Sequence, residues 1–382
     1  FYDYRATGLL SPWYDTLNPT VEQQVMDYLR EQKPDIVHAT CGQHLSASPI
    51  IAAHRLEIPV VLTLIGFWYI CPLTTLLRPD NSLCDGHKRG HECLQCLAPH
   101  SRVAYLLNSM PSAVRIAVSR FNLASDVLAR RNNAFAIARA VDHRNQAFAA
   151  IFRHVSKVLA PSNALRDLVI KAGLVEPDRI LYWQYCVDVK HAEIGAHKHL
   201  SSTLRLGYTG HMYRQKGVDV LIRAVLSLPR TLPVELKLYG SLTEKDPDYG
   251  RELRDLAGGD ERIKFMGRYE QQQLGEVLRG IDVVVVPSVW IENSPVSIHE
   301  ALAAHTPVIA SNLGGIADLI QHEHNGLLFR REDVADLATQ IRRMITDPAL
   351  FSRLTMHAKA VHGIDDEAGA LEALYESIGP AR

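Results

Sequence analysis

No stretch of this chain stays apolar for the ~18 residues that a membrane-spanning helix needs, and no signal-peptide pattern is present. Net charge is nearly absent as well. The 382 residues hold 41 Lys and Arg against 42 Asp and Glu, a balance that argues against a general nucleic-acid binder. Cysteine is sparse: six residues, four of them clustered, cannot staple a chain of this length as a disulfide scaffold. A reducing cytoplasm is therefore the default compartment. Internal repeats and low-complexity tracts are missing too. The chain also lacks a starting methionine. It opens on Phe1, and the expectation is that part of the first domain, including one or more strands, is missing upstream.

What remains is ordinary globular material, 47% hydrophobic and 22% charged, in a length that suits roughly two domains. After irregular, aromatic residues 1–20, the first half alternates helix and strand. Helices are expected at 20–31, 46–56 and 162–172, and buried strands at 34–40, 59–64, 158–160 and 180–183. That alternation indicates an α/β fold with a parallel sheet. An insert at 71–96, rich in Cys, His, Gly and Pro, interrupts it. Residues 100–154 follow as a basic helical region, and between 100 and 160 nine Lys and Arg face two Asp. Such a region suits either a solvated face or an anionic membrane surface. The polar stretch 189–203 is the best linker candidate, so the first domain is read as 1–195.

The second domain, 196–360, is clearer. Strands are expected at 204–209, 234–239, 263–266, 282–286 and 308–310, with helices at 218–227, 249–257, 271–279 and 295–304 between them. The last segment, 334–378, is helical, and residues 361–382 are read as a helix packing back on the first domain. Each strand ends in a polar or glycine-bearing loop: Gly210, Gly240, Gly267, the loop with Glu292, and Gly314. In a parallel sheet those loops share one edge, the edge where such folds bind ligands.

Residues 283–315 concentrate the chemistry. Four valines end at Pro287, a polar loop carries Glu292 and Asn293, and Ser294-Pro295 reads as a cap followed by proline at the first helical position. Glu300 lies on a helix otherwise made of Val, Ile, Ala and Leu, where a carboxylate is costly without a partner. Sugar hydroxyls are suitable donors to it. Lys216, at the end of the loop that begins at Gly210, sits beside a helix N-terminus, a combination suited to phosphate. Carboxylates for hydroxyls and a cation for phosphate describe a nucleotide-sugar pocket, although surface glutamates and a surface lysine explain the same residues.

The ordered set Gly210, Lys216-Gly217, Pro287-Ser288, Glu292, Glu300-Ala301, PVIAS at 307–311, Gly314-Gly315 and NGLLF at 325–329 resembles the donor domain of glycosyltransferase family 4. The likeness covers about 204–330. PDIVHA, the cysteine insert and LAPSNALRDLVIKAGL extend it more weakly into the first half. It implies a GT-B fold, with two Rossmann-like parallel-sheet domains facing a cleft, and retaining transfer from a UDP- or GDP-sugar to a hydroxyl acceptor. The acceptor would be a glycan or lipid-linked intermediate in glycan, polysaccharide or glycolipid synthesis, in the cytoplasm or at the inner face of the membrane. Glu300 would accept from the ribose hydroxyls, and Glu292 would lie near the sugar and its leaving phosphate. Lys216 would neutralise the departing diphosphate, helped by N–H groups of Asn293, Ser294 and Val296. Gly210, His211 and Gly240 would line the phosphate side, and the base would sit near Gly267 and Arg268. No divalent metal is implied in catalysis.

Two positions depart from the family pattern. His211 replaces an arginine, for which Arg214 is a candidate to compensate, and Ile65-Gly66 replaces the His-Asp pair expected to face the reacting sugar. His38 is a poor substitute for that histidine. These departures keep two rivals open, a non-catalytic nucleotide-sugar binder and a nucleotide-sugar epimerase. Cys71, Cys84, Cys93 and Cys96 allow a structural zinc, buried free thiols or disulfides, and Cys41 and Cys186 read as packing residues.

Overall fold

The computed structural model describes residues 16–40, 42, 45–125, 127–184, 186–188, 190–192, 198, 200–242, 246–358 and 363–379. Residues 1–15, Cys41 and most of the stretch read as a linker lie outside these. The chain divides into two units, one of residues 1–183 with 371–382, the other of residues 184–370. The division falls at Trp183 rather than near 195, because the segment after it docks on the second unit. Ala192 there is fully buried among Leu274, Leu278 and Ile281.

In the first unit, α1 (Pro19–Gln32) and α2 (Ser48–Arg55) flank β1 (Val37–Ala39), and β2 (Val60–Thr63) follows. Then come α3 (Gly90–Leu97), α4 (Arg102–Ser109), α5 (Ser112–Ala124), α6 (Val127–Arg131) and α7 (Asn133–Ile151). The unit closes with β3 (Lys157–Ala160), α8 (Asn163–Lys171) and β4 (Ile180–Tyr182). The four strands pair in parallel in the order β1-β2-β3-β4. Four consecutive apolar or β-branched residues, all buried, make β2 a central strand covered on both faces.

The second unit runs β5 (Leu204–Thr209), α9 (Val218–Ser227), β6 (Val234–Tyr239), α10 (Pro247–Ala257), β7 (Ile263–Gly267) and α11 (Leu274–Arg279). It continues with β8 (Val283–Val286), α12 (Val296–Ala303), β9 (Val308–Ser311), α13 (Ile316–Leu319) and β10 (Gly326–Phe329). Two further helices, α14 (Val334–Thr346) and α15 (Pro348–His357), complete it, and α16 (Ile364–Ile378) carries the chain back to the first unit. All six strands are parallel, in the order β10-β9-β8-β5-β6-β7. β10 is a strand the sequence reading did not anticipate: its four residues GLLF are bounded by no proline, and only the pairing with β9 defines them.

This order fixes where a ligand can bind. The chain lays down β5, β6 and β7 in one direction, then returns to place β8 beside β5 and grows outward through β9 and β10. The loops after β5 and β8 therefore leave the sheet side by side and diverge, opening the crevice that such topological switch points provide. Lys216 follows β5, and Glu292 follows β8.

Candidate functional site

The two loops at the switch point are locked together by backbone. Val289 N–H donates to the Gln215 carbonyl at 2.9 Å. Gly217, at φ +65°, caps α9 with no room for a side chain, because a Cβ would stand 2.1 Å from the Pro287 carbonyl oxygen. That close approach brings Lys216 onto the β8 loop. Its Nζ donates to Glu292 Oε1 at 2.7 Å and lies 5.3 Å from the centre of the Trp290 ring.

Glu292 is only 6% exposed, so its charge needs compensation, and one oxygen receives nearly all of it. Besides Lys216, Oε1 accepts from Ser288 Oγ at 2.6 Å and from Trp290 Nε1 at 2.8 Å. Oε2 is left without a partner among the described residues. Ser288 and Trp290 are site residues that the sequence reading missed. A signal was available: Ser288, Trp290 and Glu292 alternate along non-helical chain, and a period of two puts alternate side chains on one side.

Glu300 behaves differently. It sits on α12, half-buried, and no side chain or backbone group among the described residues pairs with its carboxylate. Burial alone pushes its pKa up to about 7. Nearby Tyr269 is raised to about 12, first by its own burial and then by the neighbouring Glu300 charge. Tyr239 packs edge-on against Tyr269, with ring centres 6.0 Å apart, so an aromatic wall stands beside the carboxylate. The buried carboxylates that hold the fold are not left this way. Asp282 is fully buried at the opposite edge of the sheet, where it accepts from Arg205 Nη2 at 2.6 Å and from the Arg205 backbone N–H at 2.8 Å.

α12 corrects one expectation. Ser294 does not cap it. Pro295 occupies the cap position, no side chain caps the helix, and Ser294 Oγ instead pairs with His299 Nε2 at 2.8 Å. Both partners are buried, so the hydroxyl is drawn inward to satisfy the ring. The first N–H groups of α12, starting at Val296, are thereby left for solvent or an anion. Asn293 is half-buried in the turn before them.

The remaining predicted residues line the same edge less tightly. Gly210 and Gly240 meet where the chain leaves β5 and β6. At φ +136° Gly240 presses on Gly210, and a Cβ there would stand 1.8 Å from the Gly210 carbonyl oxygen. His211 Nδ1 lies 3.2 Å from Ser241 Oγ and stacks on Tyr213. Arg268 is exposed just beyond β7. Arg214 does not stand in for the missing arginine. It is held by Glu252 at 2.8 Å and Asp246 at 3.1 Å, with its guanidinium over the Tyr249 ring.

In the first unit, Ile65 is 51% exposed just past β2, and Gly66 has open space where a side chain would stand. His38, at the end of neighbouring β1, is already engaged: Nε2 lies 2.7 Å from Thr63 Oγ1 and Nδ1 lies 2.5 Å from Tyr375 Oη of α16. It ties the returning helix to the sheet rather than replacing the missing histidine.

The four clustered cysteines all line one pocket, with Ile70, Leu76 and Leu97, and all four are free thiols. Among the described residues no three His, Cys, Asp or Glu side chains are arranged to hold a metal ion, so the structural zinc does not fit this geometry. The Cys93 thiol turns to the Lys88 carbonyl, and burial pushes its pKa far above the ordinary range. Burial likewise raises Cys96 to about 11. Protonated, packed thiols react slowly. Ellman's reagent at pH 7.5 is expected to modify Cys93 and Cys96 at least tenfold slower in the native than in the urea-unfolded protein. A chelator is expected to leave the melting temperature unchanged, and a fall of several degrees would restore the metal.

Comparison with known proteins bears on the second unit first. Residues 203–347 match the glycosyl transferases group 1 family. The match spans β5 to α14 and contains Gly210, Lys216, Glu292 and Glu300. D-inositol 3-phosphate glycosyltransferase of Stackebrandtia nassauensis is 30% identical over 243 residues, which is 56% of this chain and 55% of that protein. Glycogen synthase of Mycobacterium tuberculosis is 30% identical over 176 residues, 45% of this chain and 41% of that one. The chain thus spans about half the length of the curated relatives it matches. Over the described residues the fold is that of GT-B proteins, with two Rossmann-like parallel-sheet domains. HepE of Anabaena, crystallised with UDP, superposes with a TM-score of 0.65 at 17% identity over 93% of this chain and 82% of that one. Sucrose-phosphate synthase of Thermosynechococcus elongatus gives 0.60 at 18% identity, over 94% and 77%.

Proposed function

We propose that this chain is a retaining glycosyltransferase of the family 4 type, moving a hexosyl group from a UDP- or GDP-sugar to a hydroxyl acceptor. The carrying observation is the meeting, at one switch point, of a lysine bound to an anchored glutamate, near a second carboxylate that has no partner among the described residues. In this reading Glu300 accepts hydrogen bonds from the ribose hydroxyls, which supply the donors the protein withholds. The base lies beyond β7, near Arg268 and the Tyr239–Tyr269 wall. Lys216 and the uncapped N–H groups of α12 meet the diphosphate, so that charge developing on the leaving group finds donors already in place. They do so without a divalent metal. Glu292, fixed through Oε1, presents Oε2 towards the sugar. The UDP and UDP-glucose bound in the HepE crystals, and the sugar-transfer names of the sequence relatives, favour the same reading. The acceptor, a glycan or lipid-linked hydroxyl, is assigned to the first unit.

One observation favours a second reading. The exposed Ile65 and bare Gly66 offer no polar group where the resemblance implies a histidine facing the sugar, which suits a nucleotide-sugar binder without turnover. The two separate in one experiment with the full chain and labelled UDP- and GDP-glucose. Release of nucleotide, faster with acceptor, is the expected result. Thermal stabilisation by the nucleotide sugar with no release would make the protein a binder. Inversion of the sugar on an intact nucleotide would make it an epimerase.

A further inference from the structure

Helices α4 and α5 expose large apolar residues to water, although α4 also buries Ala104 and Leu107 in the core. On α5 the exposed positions are Ser112, Ala113, Val114, Ala117, Arg120, Phe121 and Ala124, and those from Val114 on recur at helical spacing. The opposite side packs Val118 on the core and also holds polar groups. Asn122 is buried with its amide on the Phe135 carbonyl at 2.8 Å, and Ser119 donates to Asp142 at 3.3 Å. α5 therefore carries apolar side chains on both faces, and its outward ones, Val114 and Phe121 among them, are exposed. α4 adds to the outward surface: Tyr105 is 76% exposed and Leu106 54%, followed by Met110 in the connection to α5 and Phe121 at 52%. Single exposed apolar residues need no explanation, but a run of large ones on consecutive helices does.

The charge around them selects the occupant. From Cys93 to Ser125 the sequence contains no Asp or Glu, while Arg102, Arg115 and Arg120 fall within it. Arg102 and Arg120 are exposed and form no ion pair among the described residues. A protein partner of ordinary composition would not require the absence of every acid across this stretch. An anionic lipid surface would, since it attracts arginine at the headgroups and accepts aromatic and aliphatic side chains just below them. No described helix is long and apolar enough to cross a membrane, so attachment would be in the plane of the interface.

We propose that α4 and α5 form a docking surface for an anionic phospholipid membrane, with Tyr105, Leu106, Val114 and Phe121 inserted and Arg102 and Arg120 at the headgroups. This inference rests on the first unit alone and does not depend on the sugar-transfer reading. The test is co-sedimentation of the full chain with vesicles of phosphatidylcholine, alone or with about a third phosphatidylglycerol. Binding is expected to be roughly tenfold greater on the anionic vesicles and to weaken as salt screens the arginines. The double variant Leu106→Glu, Phe121→Glu should reduce it to background, and Arg102→Gln with Arg120→Gln should remove the preference for anionic lipid. Because these side chains are exposed, the variants should keep the wild-type melting temperature. Equal binding to both vesicles, or to neither, would overturn the proposal. A dimer in sedimentation velocity that Phe121→Glu dissolves would also overturn it, by assigning the face to a second copy of the chain.

Discussion

Glu300→Gln is expected to make the protein more stable in alkaline buffer and to weaken nucleotide-sugar binding at the same time. The stability effect follows from the raised carboxyl. A group that ionises near 4.5 when unfolded and at about 7 when folded costs nothing below pH 4.5. The cost grows as pH rises through that window and is complete above about 7. The shift corresponds to an upper limit of roughly 3 kcal/mol, or some 5–10 °C in the melting temperature of a unit this size. At pH 8.5 the glutamine variant should therefore melt several degrees higher than wild type, and at pH 4.5 the two should coincide. Binding moves the other way. Replacing an ionised acceptor that meets two hydroxyls should weaken UDP-sugar binding by roughly a hundredfold, and Glu300→Ala should abolish it. In wild type, affinity should also fall as pH drops below 7, since protonation removes the acceptor. Calorimetric melting and titration across pH 4.5–8.5 check both effects. Unchanged affinity in Glu300→Ala would remove Glu300 from the site.

The placement of Glu300 shows how far the sequence could be read. Its helix, the four valines of β8 and the proline-terminated strands follow from short-range pattern, because apolar runs bounded by Gly or Pro have few ways to be buried. The strand ladder 204–209, 234–239 and 308–310 and the shared loop edge were legible for that reason. Contacts decided by competition between neighbours were not. Ser294 has the chemistry of a helix cap, yet His299, buried five residues on, takes its hydroxyl. Arg214 has the charge to meet a phosphate, yet two acids of the α10 region hold it, and nothing local to GHMYRQKG announces them. The cysteines have one zinc-like step, C-x2-C, but the pocket that collects them leaves them as packed thiols. The strand order β8-β5, which makes the site, joins segments some 80 residues apart and is a property of the whole sheet.

The second large effect concerns the Lys216–Glu292 pair, where the two partners should respond in opposite directions. With no ligand present, Lys216 spends its charge on Glu292 at 2.7 Å. A diphosphate arriving beside them competes for that lysine and meets the glutamate as a like charge. Lys216→Ala should therefore weaken UDP binding about tenfold and lower the transfer rate by roughly 10²–10³, the usual cost of losing one group that stabilises a developing anion. The variant should still fold, since Ser288 and Trp290 continue to satisfy Glu292. Glu292→Ala should instead tighten UDP, because it frees Lys216 and removes the repulsion, while transfer falls at least as far as in the lysine variant. Titration of UDP against each single variant and the double variant measures the coupling directly. If Glu292→Ala weakens UDP as much as Lys216→Ala does, the glutamate is a direct phosphate-side contact rather than a competitor for the lysine. The Ser288→Ala variant then separates positioning from contact. It leaves both charges in place but removes the 2.6 Å hydrogen bond that aims the carboxylate, so its loss should appear in the transfer rate and not in UDP affinity.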